Sequence, residues 1–302
     1  MGIRGSLIPN RVTILICLAV CLIYLLAVIR RGISLYEFMP PCFAVAPPVP
    51  SGKNVQPFFF EEILPSAPAS DMEHVASICE LSDGALLAVW YAGSLELAKD
   101  VAVYCSTRAP GENGWITPIK IVDPVSASCE LKRSVEKVGN PVIWSDSGNR
   151  VYMLYVSALG GWATSSLNLK TSADGGKSWA PSVRLTLSPF FNMSELVRNR
   201  PVPLQDGGFM VPIYHESIGK FPEILWLLPD SSSRCGFVAR KTRINHSRGF
   251  LQPSVVTLDL HSAMAFLRST SRPRIGLSTT KDSGLTWQAP EYIDLPNPNS
   301  AI

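Results

Sequence analysis

Ser172-Ala-Asp174-Gly-Gly176-Lys-Ser178-Trp179 and Thr280-Lys-Asp282-Ser-Gly284-Leu-Thr286-Trp287 share one pattern. A hydroxyl residue is followed at alternate positions by an aspartate, a glycine and a second hydroxyl, and a tryptophan closes the run. Each residue type has a reason to be there. The carboxylate accepts backbone N–H bonds across a tight turn, the glycine supplies positive φ, and the tryptophan has the area to pack between neighbouring sheets. The two copies lie two steps of about 54 residues apart, a spacing that marks a repeat architecture. A decayed third copy, Ser106-Thr107 to Gly114-Trp115, lies one step of about 64 residues before Trp179.

A second series keeps the same period. Asp83-Gly84, Gly148-Asn149 and Asp206-Gly207 each open an alternating apolar run, and Leu258 to Ser269 is a fourth run without the glycine. A unit of roughly 50–65 residues with about four short strands is a propeller blade, in which radial repetition leaves only short, protected edges. The expected fold is therefore all-β, a β-propeller of four-stranded antiparallel blades. A tandem of immunoglobulin-like sandwiches would repeat at about 100 residues, a length at which nothing here recurs.

Outside the repeat, Val12 to Ile29 carries no charge and is bounded by Arg11, Arg30 and Arg31. A helix over that run would come close to the thickness of a bilayer. The reading is an uncleaved single-pass anchor, with the propeller on the extracytoplasmic side. A cleaved leader is the rival, with Ala44-Val45-Ala46 as its cleavage site. The nearly balanced flanking arginines give the positive-inside rule little to act on. The expected organisation is a flank over 1–11, an anchor over 12–29, a Pro-rich stalk over 30–57 and the propeller over 58–302. Six prolines between Pro40 and Pro57 keep the stalk extended.

The 302 residues allow a sizeable core, and a net charge of +3 without clustered Lys/Arg argues against nucleic acid as a partner. The seven cysteines are scattered without a C-x-x-C, and Cys79 and Cys105 sit in apolar runs as expected buried thiols. His74, His215, His246 and His261 have no metal-ligand spacing, so neither metal nor cofactor is expected. Asn192-Met-Ser194 and Asn245-His-Ser247 fit the N-glycosylation acceptor pattern.

With Asn140-Pro-Val142, Leu251-Gln-Pro-Ser254 and Leu295-Pro-Asn-Pro-Asn-Ser300 added, residues 72 to 302 resemble the sialidase-like Asp-box (BNR-repeat) propellers. Those propellers have six blades, and this chain has room for about four, so the resemblance implies a template incomplete at the C-terminus. It also implies a site with three arginines clamping a carboxylate, an acid/base carboxylate, and a tyrosine nucleophile activated by a glutamate.

Carried over residue by residue, the first arginine becomes His74. The acid/base carboxylate falls on Glu96, with Asp100 as the alternative. The base glutamate becomes Gln252, and Arg268 matches the second arginine. Arg200 and the His215-Glu216 pair, at the two ends of one expected strand, are further candidates for the pocket. The third arginine and the tyrosine fall in blades that would follow Ile302. The implied function is a membrane-anchored, exo-glycosidase-like protein recognising a glycan end or acidic sugar. The alternative is a glycan-binding or scaffolding propeller without turnover. Four blades of a six-blade geometry would leave two apolar flanks, and self-association is expected from them.

Overall fold

The computed structural model describes residues 11–30, 38–45, 59, 61–68, 70–96, 98–188, 192–217 and 219–298. The chain divides into two units. One comprises Met1–Met39 with Thr186–Asn192, and the other Pro40–Leu185 with Met193–Ile302. In the first, α1 runs from Arg11 to Arg30, with side chains described as far as Leu26. Among the described residues no helix is long and apolar enough to cross a membrane. The run expected as an anchor, Val12–Ile29, lies within α1, and its spanning of a membrane is not shown.

Among the described residues the second unit holds four antiparallel sheets in chain order. The first comprises β1 (Met72–Glu80), β2 (Leu86–Gly93), β3 (Ala102–Arg108) and β4 (Ile119–Val122). The helix α2 (Pro124–Leu131) leads from it into the second: β5 (Lys137–Ser145), β6 (Val151–Ala158), β7 (Ser166–Ser172) and β8 (Val183–Arg184). In the third the inner strand is split into β9 (Glu195–Val197) and β10 (Val202–Pro203), both paired with β11 (Phe209–His215). It continues through β12 (Phe221–Pro229) and β13 (Phe237–Arg243). The fourth comprises β14 (Phe250–Thr257), β15 (Ala263–Ser269), β16 (Arg274–Thr280) and β17 (Glu291–Pro296). Successive sheets pack face to face, β1 and β2 on β5, β5 to β7 on β9, and β11 and β12 on β14. This is a four-blade β-propeller arrangement.

The repeat seen in the sequence is a repeat of hydrogen bonds. Asp174 accepts from the N–H and hydroxyl of Ser178, and Asp282 does the same for Thr286. The residue after each tryptophan donates to a carbonyl eight residues before the tryptophan: Ile116 to Thr107, Ala180 to Thr171 and Gln288 to Thr279, at 3.0, 2.8 and 2.9 Å. The decayed first copy therefore keeps the backbone geometry without the aspartate. Both glycines sit at positive φ, and each turn is pressed onto the preceding sheet. A Cβ on Gly176 would meet Leu87 at 2.4 Å, and one on Gly284 would meet Met210 at 2.8 Å.

Two segments before the first strand belong to this body. Pro40–Val45, inside the expected stalk, crosses the turns of the third and fourth sheets. Phe43 donates to Leu260 and Ala44 to Pro203, each at 2.9 Å, and the Phe43 ring is fully buried. Leu64 and Ala67 cover the outer face of the first sheet over Ala88, Trp90 and Ala92. On the fourth sheet, Ala263, Ala265 and Leu267 are fully buried, while the alternate residues Met264, Phe266 and Arg268 are half-exposed. The expected apolar flanks are therefore unequal: the first is covered and the fourth is open. Cys79 and Cys105 are buried, and burial raises their thiol pKa values to about 11 and about 12.

Candidate functional site

Each sheet begins with the same hairpin, closed by Leu81 to Ala85, Asp146 to Arg150, Leu204 to Gly208 and Leu258 to Ser262. Counting six residues back from each hairpin gives Val75, Asn140, Arg198 and Gln252. Counting six residues forward gives Tyr91, Val156, Tyr214 and Arg268. These eight are equivalent positions, placed by the repeat at the end of the inner strands away from the hairpins. Val75, Asn140 and Gln252 have φ of 55°, 47° and 49° at register shifts in β1, β5 and β14. In the third sheet the break between β9 and β10 takes the place of the bulge. A bulge leaves a residue out of the ladder and re-aims its side chain.

The side chains at these positions reach one another. Asn140 Nδ2 donates to the Tyr214 hydroxyl at 3.4 Å, and Arg268 Nη1 donates to Gln252 Oε1 at 3.1 Å. Asn199 Nδ2 donates to the carbonyls of Gln252 and Pro253, joining the third sheet to the fourth. Arg198 Nη1 reaches the Ala76 carbonyl at 3.4 Å, joining the third to the first. Trp162 packs on Leu196, Tyr214 and Leu251 and lies against Gly139, where a Cβ would meet its ring at 2.8 Å.

The charges at this end act on the two tyrosines. Burial lowers the pKa of Arg198, against the pull of Tyr214 and Tyr91. Burial pushes Tyr214 up to about 12, with Glu216 adding to the rise and Arg198 and Arg268 opposing it. Tyr91 is raised further, by burial first and then by Glu96, so both phenols stay protonated at neutral pH. The arrangement brings two guanidiniums, two protonated phenols and the amides of Asn140 and Gln252 together, with the carboxylates of Glu96 and Glu216 also acting on the phenols.

The residues named from the sequence fall as follows. Gln252 and Arg268 are together. His74 is exposed and sits edge-on to Tyr91 at 5.7 Å. Glu96 is exposed, with Oε1 3.5 Å from the Tyr91 hydroxyl. Asp100 is used in its own loop, accepting from the N–H and hydroxyl of Ser94 at 3.0 Å each. Arg200 is exposed, and its charge acts on Cys79. His215 stacks on Phe221 at 4.8 Å and is turned toward Glu223 and Lys241. Arg198, Tyr91, Tyr214, Asn140 and Trp162 were missed. Four of the five carried a signal: counted from the hairpins, Arg198 and Asn140 are the equivalents of Gln252, and the two tyrosines are the equivalents of Arg268. Trp162 lies in an irregular loop and had none.

Residues 84–302 match the family of BNR repeat-like domains. The chain belongs to the BNR repeat-like family. Several sialidase structures resemble this BNR repeat-like chain. The Hadza microbial sialidase Hz136 superposes with a TM-score of 0.60 at 16% identity, over 72% of this chain and 46% of its own. The intramolecular trans-sialidase from Ruminococcus gnavus, solved with oseltamivir carboxylate, gives 0.59 at 13% identity over 74% and 71%. The NanB sialidase from Streptococcus pneumoniae gives 0.59 at 13% over 77% and 54%. The BNR repeat-like chain thus spans under half the length of Hz136. At these identities the likeness is one of fold. No curated protein matches the chain by sequence.

Proposed function

We propose that the chain recognises the acidic end of a glycan at the axial end of its four sheets. The observation that carries this is that the charges of Arg198 and Arg268 both act on the buried Tyr214, which Asn140 hydrogen-bonds, while Gln252 holds Arg268. A guanidinium matches a carboxylate in shape and charge, and hydrogen-bonding neighbours without charge leave that match intact. The fold shared with sialidases supports the same substrate class.

Glycosidase-like turnover is the second reading, and one contact favours it. Glu96 Oε1 lies 3.5 Å from the Tyr91 hydroxyl at the edge of the site, the kind of carboxylate–phenol pair that acid/base chemistry uses. A fluorogenic sialoside separates the two. Release by the full chain above that of a Glu96→Gln control establishes turnover, whereas calorimetric binding without release establishes recognition alone. Neither binding nor release would remove both. For localisation, the proposal is a single-pass anchor with the propeller outside the cytoplasm, supported by the uncharged run Val12–Ile29. Retention of the full chain in membranes after a carbonate wash tests it, and complete release would overturn it.

A further inference from the structure

Asn199 follows Arg198 in the break between β9 and β10, five residues before the third hairpin. Counted the same way, its equivalents in the other sheets are Ala76, Pro141 and Pro253. None of those has a side-chain donor, so the third sheet differs from the rest at this place in the repeat. Asn199 Nδ2 donates to the Gln252 carbonyl at 3.0 Å and to the Pro253 carbonyl at 2.9 Å. In a regular strand successive carbonyls point to opposite sides, and one amide could not take both. Here Gln252 has φ of 49° at the register shift between Leu251 and Ser254, and the bulge presents both carbonyls to the third sheet.

The residue pinned in this way is the one that holds Arg268. The Gln252 side chain accepts from Arg268 Nη1 at 3.1 Å, so contacts run from Asn199 through the Gln252 backbone and side chain to the guanidinium. On its other side the same loop reaches the first sheet. Arg198 Nη1 meets the carbonyl of Ala76, the equivalent of Pro253, at 3.4 Å. Two neighbouring residues of the third sheet thus grip the inner-strand bulges of the first and fourth sheets.

We infer that Asn199 is a positioning residue, which fixes Gln252, and through it the Arg268 guanidinium, relative to Arg198 beside it. An amide nitrogen carries two hydrogens, and both are committed to the fourth sheet, so Asn199 acts on the site through Gln252 and not as a donor to the ligand. Left-handed backbone is disfavoured for a residue with a side chain, and the two bonds from Asn199 help to hold it at Gln252. Without them the bulge can relax toward regular pairing, and a slip of one residue turns a side chain to the other face of the sheet. The effect on affinity rests on the acidic-glycan reading, whereas the effect on the Arg268 guanidinium does not.

The test follows the guanidinium N–H signals of Arg268 in the full chain by heteronuclear NMR, assigned by their loss in Arg268→Lys. Asn199→Leu should speed their exchange with solvent as much as Gln252→Leu does. Asn199→Ser removes the same amide with a smaller change of shape and gives the same reading if the Leu variant does not fold. Sialyllactose affinity should fall about tenfold or more in Asn199→Leu. The double variant with Gln252→Leu should bind no more weakly than Gln252→Leu alone, because both substitutions act on one contact. Unaltered Arg268 exchange in a folded Asn199 variant overturns the role, whatever the ligand does. Additive losses of affinity in the double variant also overturn it, since Asn199 would then act by a route separate from Gln252. If the unsubstituted chain does not bind sialyllactose, the acidic-glycan reading fails, and the exchange measurement still decides the role of Asn199.

Discussion

Arg268 Nη1 rests 3.1 Å from the amide oxygen of Gln252, sixteen residues earlier in the same sheet. The amide orients the guanidinium without neutralising it. A carboxylate there would do both.

Gln252→Glu should therefore lower affinity for an acidic sugar at least about tenfold, or about 1.4 kcal/mol, since the new ion pair competes with the ligand. Binding titrations of the two proteins measure it. Unchanged affinity would mean that Arg268 does not meet the ligand's charge.

Arg268→Ala should weaken binding by about 1.5–3 kcal/mol, the range for a hydrogen bond to a charged group. Arg268→Lys should recover only part, because a point-like ammonium cannot form the fork.

Gly284 has φ of 88°, and a Cβ there would meet Met210 Sδ at 2.8 Å. Gly284→Ala should cost about 1–2 kcal/mol for the left-handed backbone alone, and more for the contact with the third sheet. Gly111→Ala, also at positive φ but with nothing near its Cβ, should show the backbone cost alone. Equal losses in the two variants, by denaturant unfolding, would mean that the turn does not bear on the sheet before it.

Glu195 is buried beside Glu223, and both carboxylates engage Lys241. Burial raises the Glu195 pKa more than Lys241 lowers it, and Glu223 adds to the rise. The folded state then holds a proton that the unfolded chain releases near pH 4.3. Stability contributed by that proton is lost as pH climbs from the ordinary carboxylate range into the neutral range. Melting temperature should fall across that interval, and Glu195→Gln should flatten the fall. An unaltered slope in the variant would place the titration elsewhere. Because β9 ends one residue before Arg198, the same variant reports whether this cluster steadies the site.

The fold was legible because its turns are written in residue types that few other structures require. Asp174, Gly176 and Trp179 recur as Asp282, Gly284 and Trp287, and each does in the structure what its chemistry allows. The site was half legible. Arg268 and Gln252 were found, but Arg200 was chosen over Arg198. The choice turned on register: a hairpin's first hydrogen bond fixes the count, and from it Arg198 falls on the position of Asn140 and Gln252. The docking of Phe43 was not legible. A Pro-rich run reads as solvated chain, and only the tertiary contact shows that one of its aromatics is buried.

On the fourth sheet Val256 is 46% exposed and pairs with half-exposed Met264. Apolar surface of this kind promotes association. Val256→Lys should reduce any concentration-dependent shift in size-exclusion chromatography, and an identical profile would move the contact elsewhere.

Arg198 and Arg268, each six residues from its hairpin, are proposed to receive one acidic group. Calorimetric titration of the full chain and of Arg198→Ala with sialyllactose, with lactose as control, tests it most directly. Sialyllactose alone should bind, and about tenfold or more weakly to Arg198→Ala. Equal affinity for lactose, or binding that Arg198→Ala leaves unchanged, would contradict it.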